Sequence, residues 1–200
     1  KMEENIRVYD GLVSADTKRR VFDIAKKSYF TLGWNDKEVS TGYVEEYVHS
    51  KWNKEALDNT KLLANSALSE ILDRIGLYED RILQCVINLD TCADTHFTHT
   101  HGDSTVLLYY VNLNWEDGWA GETLFFNPLE ESEVLMCSKY IPGRVVLFNG
   151  SLPHTIRPPS RLYPNKYRFT LSIVFDTPWD TLTLNEKYEQ TTKENNGNKF

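Results

Sequence analysis

The chain has 200 residues, enough for one domain that buries a core of its own. Hydrophobic residues make up 40% and charged residues 26%, a globular composition, and no run approaches the ~18 apolar residues that suggest a membrane span. The 22 basic and 29 acidic side chains leave a formal charge of −7, which disfavours a protein that grips nucleic acid through its phosphates.

Three cysteines (Cys85, Cys92 and Cys137) form no CxxC pair, and their odd number argues against a disulfide framework or a thiolate zinc site. The expectation is a reducing, cytoplasm-like compartment. No leader is visible, although Lys1 ahead of Met2 makes the visible start weak evidence on that point.

In chain order, Ser14-Ala15-Asp16 offers a cap for a helix over Lys18–Phe30, where Val21, Ile24, Ala25 and Tyr29 recur at helical spacing. A second helix is predicted from Lys54 to Ile75. Asn53 can cap it, Ala56, Leu63, Leu68, Ile71 and Leu72 form its apolar stripe, and Gly76 ends it. After Glu79 the texture changes to short Val-, Ile-, Leu-, Tyr- and Phe-rich stretches between Gly, Pro, Asn and Asp. Strands are predicted at Arg81–Asp90, His96–His101, Ser104–Asn112, Glu122–Phe126, Glu133–Cys137, Arg144–Phe148, Ser151–Ile156 and Tyr167–Asp176. So many short strands suggest a mainly β, α+β domain, a sandwich or jelly roll with the helices packed on one outer face. Residues 1–183 read as one domain, helical over 14–76 and jelly-roll over 81–176; from Leu184 a polar tail follows, rich in Asn, Lys, Glu and Thr.

Three of the five histidines crowd into His96-Phe97-Thr98-His99-Thr100-His101, followed by Gly102-Asp103. Alternate side chains of a strand share a face, so His99, His101 and Asp103 would project together if the strand runs that far. Imidazole and carboxylate suit Fe, Mn or Zn. Two metal sets compete. One uses His101 and Asp103 with a distant His, leaving three positions open; the other uses His99 and His101 with a nearby Glu and a distant His, as in cupins. Glu116 and Glu122 are poorly placed for the second, so the first is preferred. The distant His is His154, presented after the Asn149-Gly150 turn that follows the buried Val145–Phe148 strand.

Arg168 to Phe175 alternates cleanly. Phe169, Leu171, Ile173 and Phe175 take one face, and Arg168, Thr170 and Ser172 take the other. A guanidinium binds a carboxylate through two parallel hydrogen bonds, so Arg168 with Thr170 is a candidate anchor for a dicarboxylic acid. Arg157 and Arg161, in a Pro-rich loop, would hold geometry less firmly.

His101-Gly102-Asp103, Leu108-Tyr109-Tyr110-Val111-Asn112, Gly121-Glu122-Thr123, Pro142-Gly143, His154 and Arg168-x-Thr170 occur in an order that resembles the Fe(II)/2-oxoglutarate-dependent oxygenases, most of all their prolyl 4-hydroxylase-like branch. The resemblance covers Arg81 to Asp176. It implies a double-stranded β-helix with Fe(II) on His101, Asp103 and His154. It further implies 2-oxoglutarate as cosubstrate with its far carboxylate on Arg168, help from Tyr110 and to a lesser extent Thr170, and O2 as oxidant, with ascorbate left open as an accessory. The implied reaction hydroxylates an unactivated C–H bond and releases succinate and CO2; the carboxylate at Asp103 points to hydroxylation rather than halogenation.

By that resemblance the first substrate class is a prolyl residue in a peptide or protein, then a small amino-acid-like molecule, with a nucleobase third. Tyr43, Tyr47, Trp52, Trp115 and Trp119 are candidates to wall a substrate groove, and Thr41–Trp52 for a loop that closes over it. The competing class is a cupin-type jelly roll that binds metal or a small molecule without 2-oxoglutarate chemistry. No membrane association is expected, and the chain would be a monomer or a homodimer.

Overall fold

The computed structural model describes residues 5–30, 48–52, 67–94 and 96–182. Two antiparallel sheets face each other. The larger has six strands in the order β1-β7-β4-β9-β3-β2, and the smaller has three in the order β6-β5-β8. In chain order the elements are β1 (Ile6–Tyr9), α1 (Ala15–Lys27), β2 (Val48–Trp52), α2 (Ala67–Ile75), β3 (Ile82–Asp90), β4 (Thr105–Tyr110), β5 (Thr123–Asn127), β6 (Glu130–Ser138), β7 (Val145–Asn149), β8 (His154–Ile156) and β9 (Arg168–Phe175). This is a jelly roll with helices on one outer face, the double-stranded β-helix expected from the sequence.

Alternation along the central strands makes two cores. Leu107, Tyr109, Leu147, Leu171, Ile173 and Phe175 point outward, where Val21 and Ala25 of α1 and Ile71, Leu72 and Ile75 of α2 cover them. Val106, Leu108, Tyr110, Val146, Phe148 and Val174 point inward, against Phe125, Tyr140 and Leu152. Each fully buried aliphatic or aromatic side chain contributes roughly 1.5–3 kcal/mol, so both faces of the large sheet hold the fold.

The first helix keeps its expected cap and shifts its ends, and the second ends where expected, its predicted cap Asn53 lying outside the described residues. Ser14 accepts a hydrogen bond from the Thr17 amide at 3.2 Å. The first helix ends at Lys27, where Ser28 is extended (ψ 149°), so Tyr29 lies beyond it and is exposed instead of joining the apolar stripe. Gly76, at φ +86°, closes α2 by donating to the Leu72 carbonyl at 2.8 Å. Glu70 of α2 reaches back to the Ser14 and Thr17 hydroxyls and so ties the two helices at the cap. The predicted start of the second helix, 54–66, lies outside the described residues.

Three strand expectations change. β1 and β2 are additional edge strands. β2 pairs with β3 and takes Val48–Trp52 out of the expected loop; Tyr43 and Tyr47 lie outside the described residues, as does the polar tail from Leu184. The predicted strand His96–His101 is reduced to one bridge, His99 opposite His154. Among the described residues no helix is long and apolar enough to cross a membrane.

Candidate functional site

The bridge positions the histidines. The His99 amide donates to the His154 carbonyl and the His154 amide to the His99 carbonyl, both at 3.0 Å, while the His101 amide donates to Gly150 at 2.7 Å. Directly opposed residues of an antiparallel pair face the same way, and so does the residue two further on. His99, His101 and His154 therefore converge. Ring centroids lie 4.4 Å apart for His99 and His154, 5.0 Å for His99 and His101, and 5.1 Å for His101 and His154. One ring nitrogen from each lies within 4.8 Å of the others.

The tautomers follow from the neighbours. His154 Nδ1 lies 2.9 Å from the Leu152 carbonyl and His99 Nδ1 lies 3.1 Å from that of Phe97. A carbonyl can only accept, so each Nδ1 carries a proton, and Nε2 is the nitrogen of each ring left to face a metal. His154 is buried beside the Phe148 ring at 4.7 Å. Burial holds its pKa well below the ordinary histidine range, and His99 and His101 push the same way. It is therefore neutral near pH 7, the form that binds metal.

The structure thus brings together His101 and His154 of the expected metal set and adds His99. It does not bring Asp103. Gly102 adopts φ +68°, and the Ser104 amide turns back onto the Gly102 carbonyl at 2.9 Å, so the alternation stops at His101 and Asp103 sits exposed on the turn. Asp103 thus lies outside the group of three imidazoles that come within 4.8 Å of one another. Among the described residues the converging group contains no carboxylate.

Arg168 opens β9 and is buried with its whole polar neighbourhood. Its Nε donates to the Gly121 carbonyl at 2.8 Å. Its Nη1 donates to Asp90 Oδ2 at 3.0 Å and to Thr170 Oγ1 at 2.5 Å, and Nη2 lies 3.4 Å from Thr123 Oγ1. Gly121 permits this approach: at φ +89° a side chain is strained, and a Cβ would meet the Trp115 ring at 2.9 Å. The face of β9 that carries Arg168, Thr170 and Ser172 is buried along its length.

Asp90 was not singled out in the sequence. It ends β3, directly opposite Arg168 in the register, and is fully buried. Burial raises its carboxyl pKa to about 6, with Arg168 pulling against the shift. Its Oδ1 has no hydrogen-bond partner and lies 3.5 Å from His96 Nε2. His96 is itself lowered to about 4, first by burial and then by Arg168. The usable signal is the one charged residue of β3, placed at its end.

Tyr110 is buried with its hydroxyl 2.8 Å from Thr123 Oγ1 and 3.1 Å from Ser138 Oγ, and its ring stacks on Tyr140 at 4.6 Å. Arg168 Cζ lies 5.6 Å from the Tyr110 ring and 5.1 Å from the Tyr140 ring. Trp115 and Trp119, the described aromatic candidates of that region, pack against each other with ring centroids 5.5 Å apart. Trp115 donates to the Ala120 carbonyl at 2.7 Å and lies 4.4 Å from Tyr140, and Trp119 is buried. Arg157 lies 3.7 Å from Glu122 and is well exposed.

No protein-family model matches the chain, and no curated protein matches it. Solved structures do. A prolyl hydroxylase from Trichoplax adhaerens, in complex with a hypoxia inducible factor oxygen degradation domain peptide fragment, superposes at TM-score 0.61 with 16% identity, over 94% of this chain and 87% of that one. A Pseudomonas putida prolyl-4-hydroxylase gives 0.58 and 16%, over 86% and 92%. The fold is that of the Fe(II)/2-oxoglutarate oxygenases. HygX from Streptomyces hygroscopicus, solved with nickel and 2-oxoglutarate bound, superposes at 0.58 with 10% identity, over 86% of this chain and 82% of that one. On the oxygenase fold, β8 and the segment bridged to it carry the three imidazoles, and β9 carries the arginine.

Proposed function

We propose that the chain is a non-haem Fe(II)- and 2-oxoglutarate-dependent oxygenase that hydroxylates an unactivated C–H bond. The observation that carries this is the convergence of three imidazoles on the double-stranded β-helix. The donor set fits the metal: imidazole nitrogen suits iron, and His99 and His154 already have their second nitrogens tied to backbone carbonyls. His99, His101 and His154 would hold the ion, with His99 in place of the expected Asp103.

Bound iron would supply the activation of O2 coupled to oxidative decarboxylation of 2-oxoglutarate to succinate and CO2. The residues of this chain bind and orient. Three neutral imidazoles leave the full charge of Fe(II) for ligands from solution, which favours a dianionic cosubstrate. Arg168, steadied by Gly121 and Thr170, is the anchor for the far carboxylate, and the Tyr110 and Tyr140 rings keep water from it. The substrate class that the resemblance favours is a prolyl residue in a peptide or protein, then a small amino-acid-like molecule. The three free thiols support a reducing compartment.

A second reading has its own observations. His99 within the cluster and the pairing of Arg168 with Asp90 also suit a cupin-type metal-binding jelly roll without 2-oxoglutarate. Anaerobic addition of Fe(II) and then 2-oxoglutarate separates the two. A weak visible charge-transfer band is expected, and iron binding without a band would put the second reading first. His99→Ala should weaken metal binding by ~100-fold or more, while Asp103→Ala leaves it intact. Loss of metal in Asp103→Ala alone would restore the set with Asp103.

A further inference from the structure

The guanidinium of Arg168 is already committed. It has five N–H donors. Nε is used by Gly121, the two Nη1 hydrogens face Asp90 and Thr170, and Nη2 has the long contact to Thr123. A cosubstrate carboxylate that takes two parallel hydrogen bonds needs Nη2 and one of the nitrogens now occupied. The Gly121 carbonyl and the Thr170 hydroxyl are neutral partners, whereas Asp90 is a carboxylate pressed on the same cation in the same dry space.

Two carboxylates on one buried guanidinium leave an uncompensated negative charge, which is costly in a low-dielectric site. The charged and titratable groups facing Asp90 are Arg168 on β9 and Asp94 and His96 in the segment after β3. Asp94 adds negative charge, and burial keeps His96 neutral, so neither offsets a second anion. Asp90 Oδ1 is buried without a hydrogen-bond partner, so the carboxylate is poorly satisfied even with Arg168 beside it.

We propose that Asp90 competes with the distal carboxylate of the cosubstrate for Arg168, so that the dicarboxylate binds together with one proton, taken from solvent onto Asp90. This rests on Arg168 being the cosubstrate anchor. It makes Asp90 a specificity-determining residue: a 2-oxo acid with no distal carboxylate leaves the Asp90–Arg168 pair undisturbed and takes up no proton. The sign follows from linkage. Affinity for 2-oxoglutarate rises as pH falls, about tenfold per pH unit while Asp90 is ionised in the free protein, and levels off once free Asp90 is itself protonated.

The test is calorimetric titration of 2-oxoglutarate into the anaerobic Fe(II)-loaded protein at pH 7.5, in buffers of different ionisation enthalpy. 2-Oxobutyrate, which keeps the chelating end and lacks the distal carboxylate, is run in parallel. Uptake of about one proton is expected with 2-oxoglutarate and about none with 2-oxobutyrate. In Asp90→Asn, which keeps an acceptor oxygen for Arg168, uptake should vanish. Binding should then become tighter and independent of pH, because the ligand supplies the missing counter-charge.

If 2-oxoglutarate binds far more tightly than 2-oxobutyrate yet without proton uptake, the anchor stands and the competition by Asp90 is overturned. Uptake that persists in Asp90→Asn overturns it too, moving the proton to another group. If the two acids bind equally and neither takes up a proton, the anchor itself is wrong. The wild-type measurements decide even if the variant does not fold.

Discussion

The two faces of the six-stranded sheet are built from the same strands and do different work. On β9, Leu171, Ile173 and Phe175 meet helices and other apolar side chains, while Arg168 and Thr170, from the opposite set of positions, belong to a buried polar network. The outer face is satisfied by burial alone and tolerates any packing that fills space. The inner face holds ionisable groups in a dry setting, so each depends on a particular partner. Both faces add stability by burial, and chemistry is concentrated at a few points of the inner one.

Variants on either side test that division. Phe175→Ala, on the outer face, should cost ~3–5 kcal/mol of unfolding free energy. Metal stoichiometry of the folded fraction should not change, as chemical denaturation and metal titration would show. Asp90→Ala, on the inner face, should cost a comparable ~3–5 kcal/mol, because Arg168 keeps its charge and loses its partner. Arg168→Met should cost less near pH 6, since Asp90 can take a proton where Arg168 cannot lose one. Equal losses in the two variants at that pH would mean that Asp90 is not raised by burial.

A pH series sharpens the contrast. In the unfolded chain His96 gains a proton near pH ~6.5; in the folded protein burial delays this to about 4. The unfolded state therefore binds more protons between these values, and stability falls as pH drops through that window. His96→Gln should remove about 2 kcal/mol of the loss between pH 7 and pH 5, read from denaturation curves at both. The smallest effect belongs to the helix cap: Ser14→Ala should cost about 1 kcal/mol and leave metal binding unchanged.

What the sequence makes legible follows the same boundary. The outer face is visible as period-two alternation on β9 and as Val21 and Ala25 four apart on α1, because burial selects residue types by position. His154 and Arg168 are visible because an imidazole or a guanidinium in an apolar setting calls for a reason. The choice between His99 and Asp103 as third member is not, since it depends on one backbone torsion: Gly102 at φ +68° stops the alternation, leaves Asp103 exposed and leaves His99 beside His154. Asp90 escapes because register is a pairing between distant segments, and only the ladder of β3 against β9 sets it opposite Arg168.

The His99–His154 bridge has a kinetic consequence. A metal held by His99, His101 and His154 spans a seam between two chain segments, joined there by the reciprocal His99–His154 hydrogen bonds and the bond from His101 to Gly150. Bound metal would therefore cross-link the two segments through their side chains, so that parting the seam would also break a nitrogen–metal bond. The amides of His99 and His154 report on that cross-link: their exchange with solvent deuterium should slow when metal is added.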